Sequence, residues 1–276
     1  MYKKFLIIAS KDNIAGINIT TNLSQFKQNP VLASMNTDKP NFDFYLPEKS
    51  MLYNENLDME KVNKYDFIIF ASTHRSDKGE KSLSIHAPGN WRNADLGGKA
   101  GEVSKASALF QKFIFEKLLE NTKEHELDKK YAVTLEVTHH GPTINKPCLF
   151  IEIGSGEEEW KDRRAGFVIA KTIKQAIEEF QPDKHREVAI GIGGPHYCPN
   201  FNRMQLTSNV ALSHIIPSYV RPITENMIKE AIDKTEEEVD FAVIDWKAFK
   251  SEERKELLKL LDKNYISWKR TSEISK

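Results

Sequence analysis

The sequence predicts an α/β fold: one three-layer α/β/α domain over residues 1–276, built on a mostly parallel mixed sheet. Two observations carry this. Six apolar runs recur along the chain, at Phe5–Ala9, Phe67–Ala71, Ala132–Val137, Leu149–Ile153, Val188–Ile192 and Phe241–Ile244, most of them continuous rather than alternating. Continuous runs are what strands look like when helices cover both faces of a sheet. Segments of helical period lie between the runs, so strands and helices alternate along the chain.

The first run sits in Met1-Tyr-Lys-Lys-Phe-Leu-Ile-Ile-Ala-Ser10, which resembles a signal peptide only superficially. Its apolar core is about half the usual length and Lys11-Asp12 follows directly, so it reads as the first strand. The polar stretch from Gln28 to Lys64 holds three prolines and reads as a connection with short local structure. Residues 103–122, 222–237 and 247–262 are helix candidates. A further stripe, Phe167, Ala170, Ile173, Ile177 and Phe180, has spacings of 3, 3, 4 and 3. Glu157-Glu-Glu159 would occupy that helix's first turn, favourable to the helix dipole, with Pro182 marking the exit.

The 40 basic and 40 acidic residues cancel, which disfavours tight nonspecific binding to DNA or RNA. Two cysteines, Cys148 and Cys198, cannot build a disulfide framework. No run approaches the ~20 apolar residues of a membrane span, so no membrane partner is expected and the expected compartment is the cytosol.

The strongest local signal is Thr134-Leu-Glu-Val-Thr-His-His-Gly-Pro-Thr143, followed by Cys148-Leu-Phe-Ile-Glu-Ile-Gly-Ser-Gly156. Neighbouring strand residues point to opposite faces, but a turn beginning between His139 and His140 brings both imidazoles to one rim. Two imidazoles with a nearby carboxylate are what a zinc-assisted hydrolysis site needs. Glu152 is the lone charge in its apolar run. It must be paired, metal-bound or protonated, unless the strand is an edge and Glu152 faces water.

Three more segments follow predicted strands or form loops, where sites gather in such sheets. Gly191-Ile-Gly-Gly-Pro-His-Tyr-Cys-Pro199 offers His196 and Cys198 as metal-capable groups; no helix-opening pattern follows, so its glycines do not form a dinucleotide fingerprint. Ser72-Thr-His-Arg-Ser76 offers His74 as a ligand and Arg75 as an anion contact. Ser84-Ile-His-Ala-Pro-Gly-Asn-Trp91 begins a glycine-rich loop that suits a binding rim, with His86 and Trp91 facing the ligand. His214, among apolar neighbours, reads as a core histidine, and His125 and His185 as exposed ones.

Together these segments resemble the archaeal and plant-type D-aminoacyl-tRNA deacylases. The resemblance runs in order through Phe5-Leu-Ile-Ile-Ala-Ser-Lys-Asp12, Ser72-Thr-His-Arg75, His86-Ala-Pro-Gly-Asn90, Glu136-Val-Thr-His-His-Gly-Pro-Thr143, Phe150-Ile-Glu-Ile-Gly-Ser155, Trp160 and Gly191-Ile-Gly-Gly-Pro-His-Tyr197. It implies a phosphorylase/hydrolase-like fold and a zinc-dependent enzyme cleaving the ester between a D-amino acid and the tRNA 3′ end. The implied partner is D-aminoacyl-tRNA, with no DNA, and a monomer is expected.

On this reading His139, His140 and His196 hold zinc, with Glu152 or His74 as a further ligand. Either Glu152 or Glu136 is the general base; the pattern does not choose. Gly193, Gly194 and Thr143 would offer backbone or hydroxyl donors to the oxyanion or the terminal ribose. Two alternatives stay open: a zinc peptidase or amidohydrolase using the same residues, and a noncatalytic tRNA-binding module.

Overall fold

Each of the six apolar runs folds as a strand, in a computed structural model that describes residues 1–27, 40–76 and 79–274. In chain order the strands are β1 (Lys4–Ile8), β2 (Asn41–Tyr45), β3 (Phe67–Arg75), β4 (Ser82–His86), β5 (Ala132–Leu135), β6 (Cys148–Ser155), β7 (Glu187–Ile192), β8 (Val210–Ile216), β9 (Phe241–Ile244) and β10 (Trp268–Arg270). The helices are α1 (Ile14–Ser24), α2 (Met59–Val62), α3 (Ala108–Glu124), α4 (Glu157–Trp160), α5 (Arg163–Glu179), α6 (Pro199–Thr207), α7 (Glu225–Asp233), α8 (Ser251–Lys263) and α9 (Thr271–Ile274).

The strands form two sheets, not the single sheet expected. The first has the order β2-β1-β3-β6-β4-β5, and among the described residues its only antiparallel pairing is β4 with β6. The second, β10-β9-β7-β8, is wholly parallel. Just past β5 the chain stitches the two together: the Val137 and Thr138 amides donate to the carbonyls of His196 and Ile215, both at 3.0 Å. One buried cluster spans both sheets, from Phe5, Ile69 and Ile151 to Leu212 and Val243. Helix α3 joins them as well, since Gln111 donates its amide hydrogens to the Leu212 and Ser213 carbonyls of β8.

Helix starts follow their capping residues. Asn13 accepts from the Gly16 amide, Ser107 from Phe110, and Thr224 from Met227. Capping also explains one departure from expectation. The helix predicted to begin at the three glutamates is two helices, because the Asp162 carboxylate caps a new start by accepting from the Arg164 and Ala165 amides. The glycine segment after β7 does lead into a helix: α6 opens at Pro199, with Cys198 before it in the left-handed region at φ 38°. Of the expected connection from Gln28 to Lys64, residues 28–39 lie outside those described, and the remainder supplies β2 and α2.

The two faces of the first sheet are covered unequally. Helices α1, α3 and α5 bury one face through Ile19, Phe110 and Ile169 among others. The opposite face is covered by coil and the short α2, through Met51, Leu57, Val62 and Ile144 packed on Leu6, Ile8, Ile68, Phe70 and Phe150. That thin cover ends partway along the strands. The functional cleft opens where it stops.

Candidate metal centre and active site

Period-two alternation decides which residues meet in this cleft. Along β6, Leu149, Ile151 and Ile153 enter the main core, while Cys148 and Phe150 turn to the opposite face. Glu152 follows Phe150 on that face, beside Ser72 of β3 and Ser84 of β4 in the register. Because β6 is paired on both sides and Glu152 is only 2% exposed, the edge-strand alternative is excluded.

Around Glu152 lie five imidazoles and a second carboxylate. His74 Nδ1 and His86 Nε2 each stand 3.7 Å from Glu152 Oε2. The Glu136 carboxylate, just past β5, is 3.2 Å from His74 Nδ1, 3.3 Å from His196 Nε2 and 3.6 Å from His139 Nε2. His140 has φ 44°, and this left-handed turn lets consecutive side chains share a side, with the His139 and His140 rings 4.3 Å apart.

Hydrogen bonding sets the state of three of these rings. His139 Nδ1 lies 2.8 Å from the Val137 carbonyl, His140 Nδ1 2.8 Å from the Gly141 carbonyl, and His86 Nδ1 3.2 Å from the Ala87 carbonyl. A carbonyl only accepts, so each Nδ1 carries a proton, and in its neutral form each ring presents a bare Nε2 lone pair. Burial, then the neighbouring His86, pushes His140 down to about 4; burial and three surrounding histidines push His139 well below the usual histidine range. Burial would also lower His74, but Glu152 and Glu136 together raise it. Burial works against ionisation of Glu152, yet its hydrogen bonding with His74 holds its carboxyl far below the usual range.

These groups fit a cation. His86, His139 and His140 place one donor atom each within 4.8 Å of one another, and so do His74, Glu136 and His196. Both Glu136 oxygens and His86 Nε2 are buried without a hydrogen-bond partner among the described residues. Bare lone pairs and carboxylate oxygens converging without donors are what a divalent ion would satisfy. A cleft of about 560 Å³ opens over them, lined by Asn13, Ser72, His74, Arg75, His139, His140, Glu152, Trp160 and His196 among others.

A family model described as D-aminoacyl-tRNA deacylase matches residues 61–269. The D-aminoacyl-tRNA deacylase of Thermococcus onnurineus is 37% identical over 259 residues, covering 90% of this chain and 93% of that one. Its counterpart in Methanocaldococcus jannaschii is 31% identical, covering 97% of this chain and 99% of that one. This chain belongs to the D-aminoacyl-tRNA deacylase family. It is an enzyme by that membership. A crystal structure described as a conserved protein of unknown function has the same fold, with a TM-score of 0.84, 30% identity and coverage of 99% and 96% of the two chains.

Within the family member's site, the structure redistributes several expected roles. The trio His139, His140 and His196 does not stand as one group: His196 sides with His74 and Glu136. His86, expected to face substrate, is wholly buried and completes the His139–His140 group instead. Trp91 is 6% exposed and its indole N–H donates to the Thr138 carbonyl at 3.0 Å, so it presents only an edge, in a second cleft.

Thr143 is absent from both clefts; its hydroxyl accepts from the Lys99 amide at 2.9 Å and locks two loops together. The Gly193 amide donates to the Ile216 carbonyl at 2.7 Å and is not free for an oxyanion. Gly194 lines neither cleft; its carbonyl accepts from the Ser218 amide at 3.0 Å. Their positive φ values, 110° and 83°, are the reason for glycine at these two positions. Cys198 is buried, with its sulfur 3.5 Å from the Leu135 and His196 carbonyls, and joins no donor group.

Two residues escaped the sequence reading. The Tyr197 hydroxyl lies 2.9 Å from His74 Nε2 and fixes that ring with Nδ1 toward the carboxylates. Asn13 caps α1 and donates to the Ser72 and Thr73 hydroxyls at the cleft floor, at 3.1 and 3.2 Å. Tyr197 adjoins His196 and Asn13 follows the first strand; those addresses were the available signal.

Proposed function

We propose that this cleft hydrolyses the ester joining a D-amino acid to the 3′ end of tRNA, releasing the free amino acid, with zinc as cofactor. One observation carries the site assignment: the Glu136 carboxylate, without a hydrogen bond among the described residues, meets imidazoles from separate segments that line the cleft. His86, His139 and His140 would hold one ion, and His74, Glu136 and His196 a second. When bound, zinc supplies Lewis-acid polarisation of the ester carbonyl and acidifies water.

The chain's own groups do the rest. Glu152 and Glu136 both belong to donor groups, but Glu152 alone of the two lines the cleft, so it would accept the proton of the attacking water at a carboxylate oxygen and return it to the departing ribose oxygen. Tyr197 holds His74, and the backbone carbonyls of Val137, Gly141 and Ala87 hold the other rings in the tautomer that leaves Nε2 bare. The buried cluster shared by both sheets supports reading the chain as one catalytic unit. A tRNA substrate supports a cytoplasmic enzyme, and a monomer is expected.

The test is release of D-tyrosine from D-tyrosyl-tRNA, with the L-ester alongside, before and after chelation and zinc readdition. D-selective release that vanishes with the metal and returns with zinc is expected. No release by zinc-loaded protein would overturn the substrate, and release indifferent to exhaustive metal removal would overturn the cofactor. His140→Ala should abolish release while the fold survives.

A further inference from the structure

The histidine pair has two sides. His139 and His140 line the 560 Å³ cleft described above, and they also line a second cleft of about 290 Å³. They are the only residues common to the linings of both. An ester bound against these rings has a cleft open to each of its two halves.

The two clefts differ in chemistry. The larger has an apolar wall that includes Ile14, Met51 and Leu52, with the Asp12 carboxylate at its rim, which suits an amino-acid side chain and its ammonium group. The smaller holds the exposed ring of Tyr219, 59% accessible, beside the exposed Arg92. An aromatic ring held open to solvent next to a guanidinium is a stacking platform for a nucleobase with a cation for its phosphate. Arg92 is pre-positioned: one of its nitrogens donates to the Pro222 carbonyl at 3.1 Å, leaving the other N–H groups of its fork free, and it makes no ion pair among the described residues. The volume lies at the lower end of the range of ligand pockets, matching a single nucleoside rather than a longer segment.

We propose that the smaller cleft, with Tyr219 as platform and Arg92 as phosphate contact, binds the 3′-terminal adenosine of the substrate, leaving the larger cleft to the aminoacyl group. This rests on the deacylase reading of the shared histidines.

The experiment measures steady-state release of D-tyrosine from D-tyrosyl-tRNA by wild type, Tyr219→Ala and Arg92→Ala, with adenosine 5′-monophosphate as a competing ligand. Tyr219→Ala should raise KM about tenfold, the loss of one base–aromatic stack, with kcat within about twofold. The inhibition constant of the nucleotide should rise by a similar factor. Arg92→Ala should raise KM and flatten its salt dependence. Unchanged KM and inhibition constants in both variants would overturn the assignment. So would a loss of nucleotide inhibition in Trp160→Ala, in the larger cleft, that Tyr219→Ala does not share. If wild type releases no D-tyrosine, the deacylase reading fails by itself. Calorimetry of the nucleotide against wild type and Tyr219→Ala then decides the subsite: weaker binding by the variant supports it, and equal or absent binding overturns it.

Discussion

One face of the first sheet contains two regions built on opposite principles. Along β3 and β6 it begins with Ile68, Phe70 and Phe150, buried and packed, the two phenylalanine rings stacked 4.6 Å apart. Two residues further on, the same face carries Ser72, Glu152 and Ser84, and then His74. The boundary is sharp, because the His86 ring stacks on Phe150 at 5.1 Å while its Nε2 is 3.7 Å from Glu152. The apolar half is closed by packing of one side chain on another. In the polar half Glu136, His86 and Ser84 bury atoms without partners among the described residues, each worth roughly 1–3 kcal/mol of instability. The comparison separates what holds the fold from what the fold tolerates for the sake of the site.

Substitutions on the two sides should therefore fail in different ways. The largest effect is expected from Glu136→Gln, in the polar half. Release of D-tyrosine should fall by more than about a hundredfold, beyond the loss expected when a group that only supports a metal ligand is removed, whereas the metal-free protein should unfold at equal or higher denaturant. A large drop in metal-free stability would mean that Glu136 is a structural group. In the apolar half, Phe150→Ala should cost about 3–5 kcal/mol in denaturant unfolding. A cost below about 1 kcal/mol would show that Met51 and Ile144 collapse into the gap.

Next comes His214, wholly buried beneath Thr138 and pushed down to about 4 by burial. Its folded-state value lies below its unfolded value near 6.5, so the unfolded chain takes up the proton first as pH falls. Its contribution is full above about pH 6.5 and is lost toward pH 4, about 3 kcal/mol in all. Stability curves of wild type and His214→Gln over that window should converge as pH falls. Parallel curves would remove His214 from the acid response. The smallest effect is that of Asn13→Ala: about 1 kcal/mol from the lost α1 cap, together with a modest fall in activity through the Ser72 and Thr73 hydroxyls. Unchanged stability would show that water replaces the cap.

The same contrast explains how much of the molecule was legible in its sequence. β1, β3, β6, β7 and β9 were visible because hydrophobic burial on both faces writes a continuous apolar run. β4 was not, because Ser82, Ser84 and His86 belong to the polar half and break the run. β8 was hidden similarly by Ser213 and His214. α1 is rich in Asn, Thr and Ile, weak helix formers, and is held by its cap and its packing on the first sheet. Within the site, His139, His140, His74, His196 and Glu152 stood out as chemistry in the wrong company. His86 was visible but misplaced, since its burial follows from β4. Tyr197 acts across 123 residues and Asn13 across 59, distances that no local pattern encodes.

The polar half of this face gathers side chains that could hold a metal ion. The direct measurement is the metal content of the purified protein by mass spectrometry, for wild type, Glu136→Gln and His140→Ala, with circular dichroism to confirm folding. Stoichiometric zinc in wild type, reduced in each folded variant, is the predicted result. Folded variants that keep the wild-type metal content, or a wild type that deacylates fully without any metal, would contradict it.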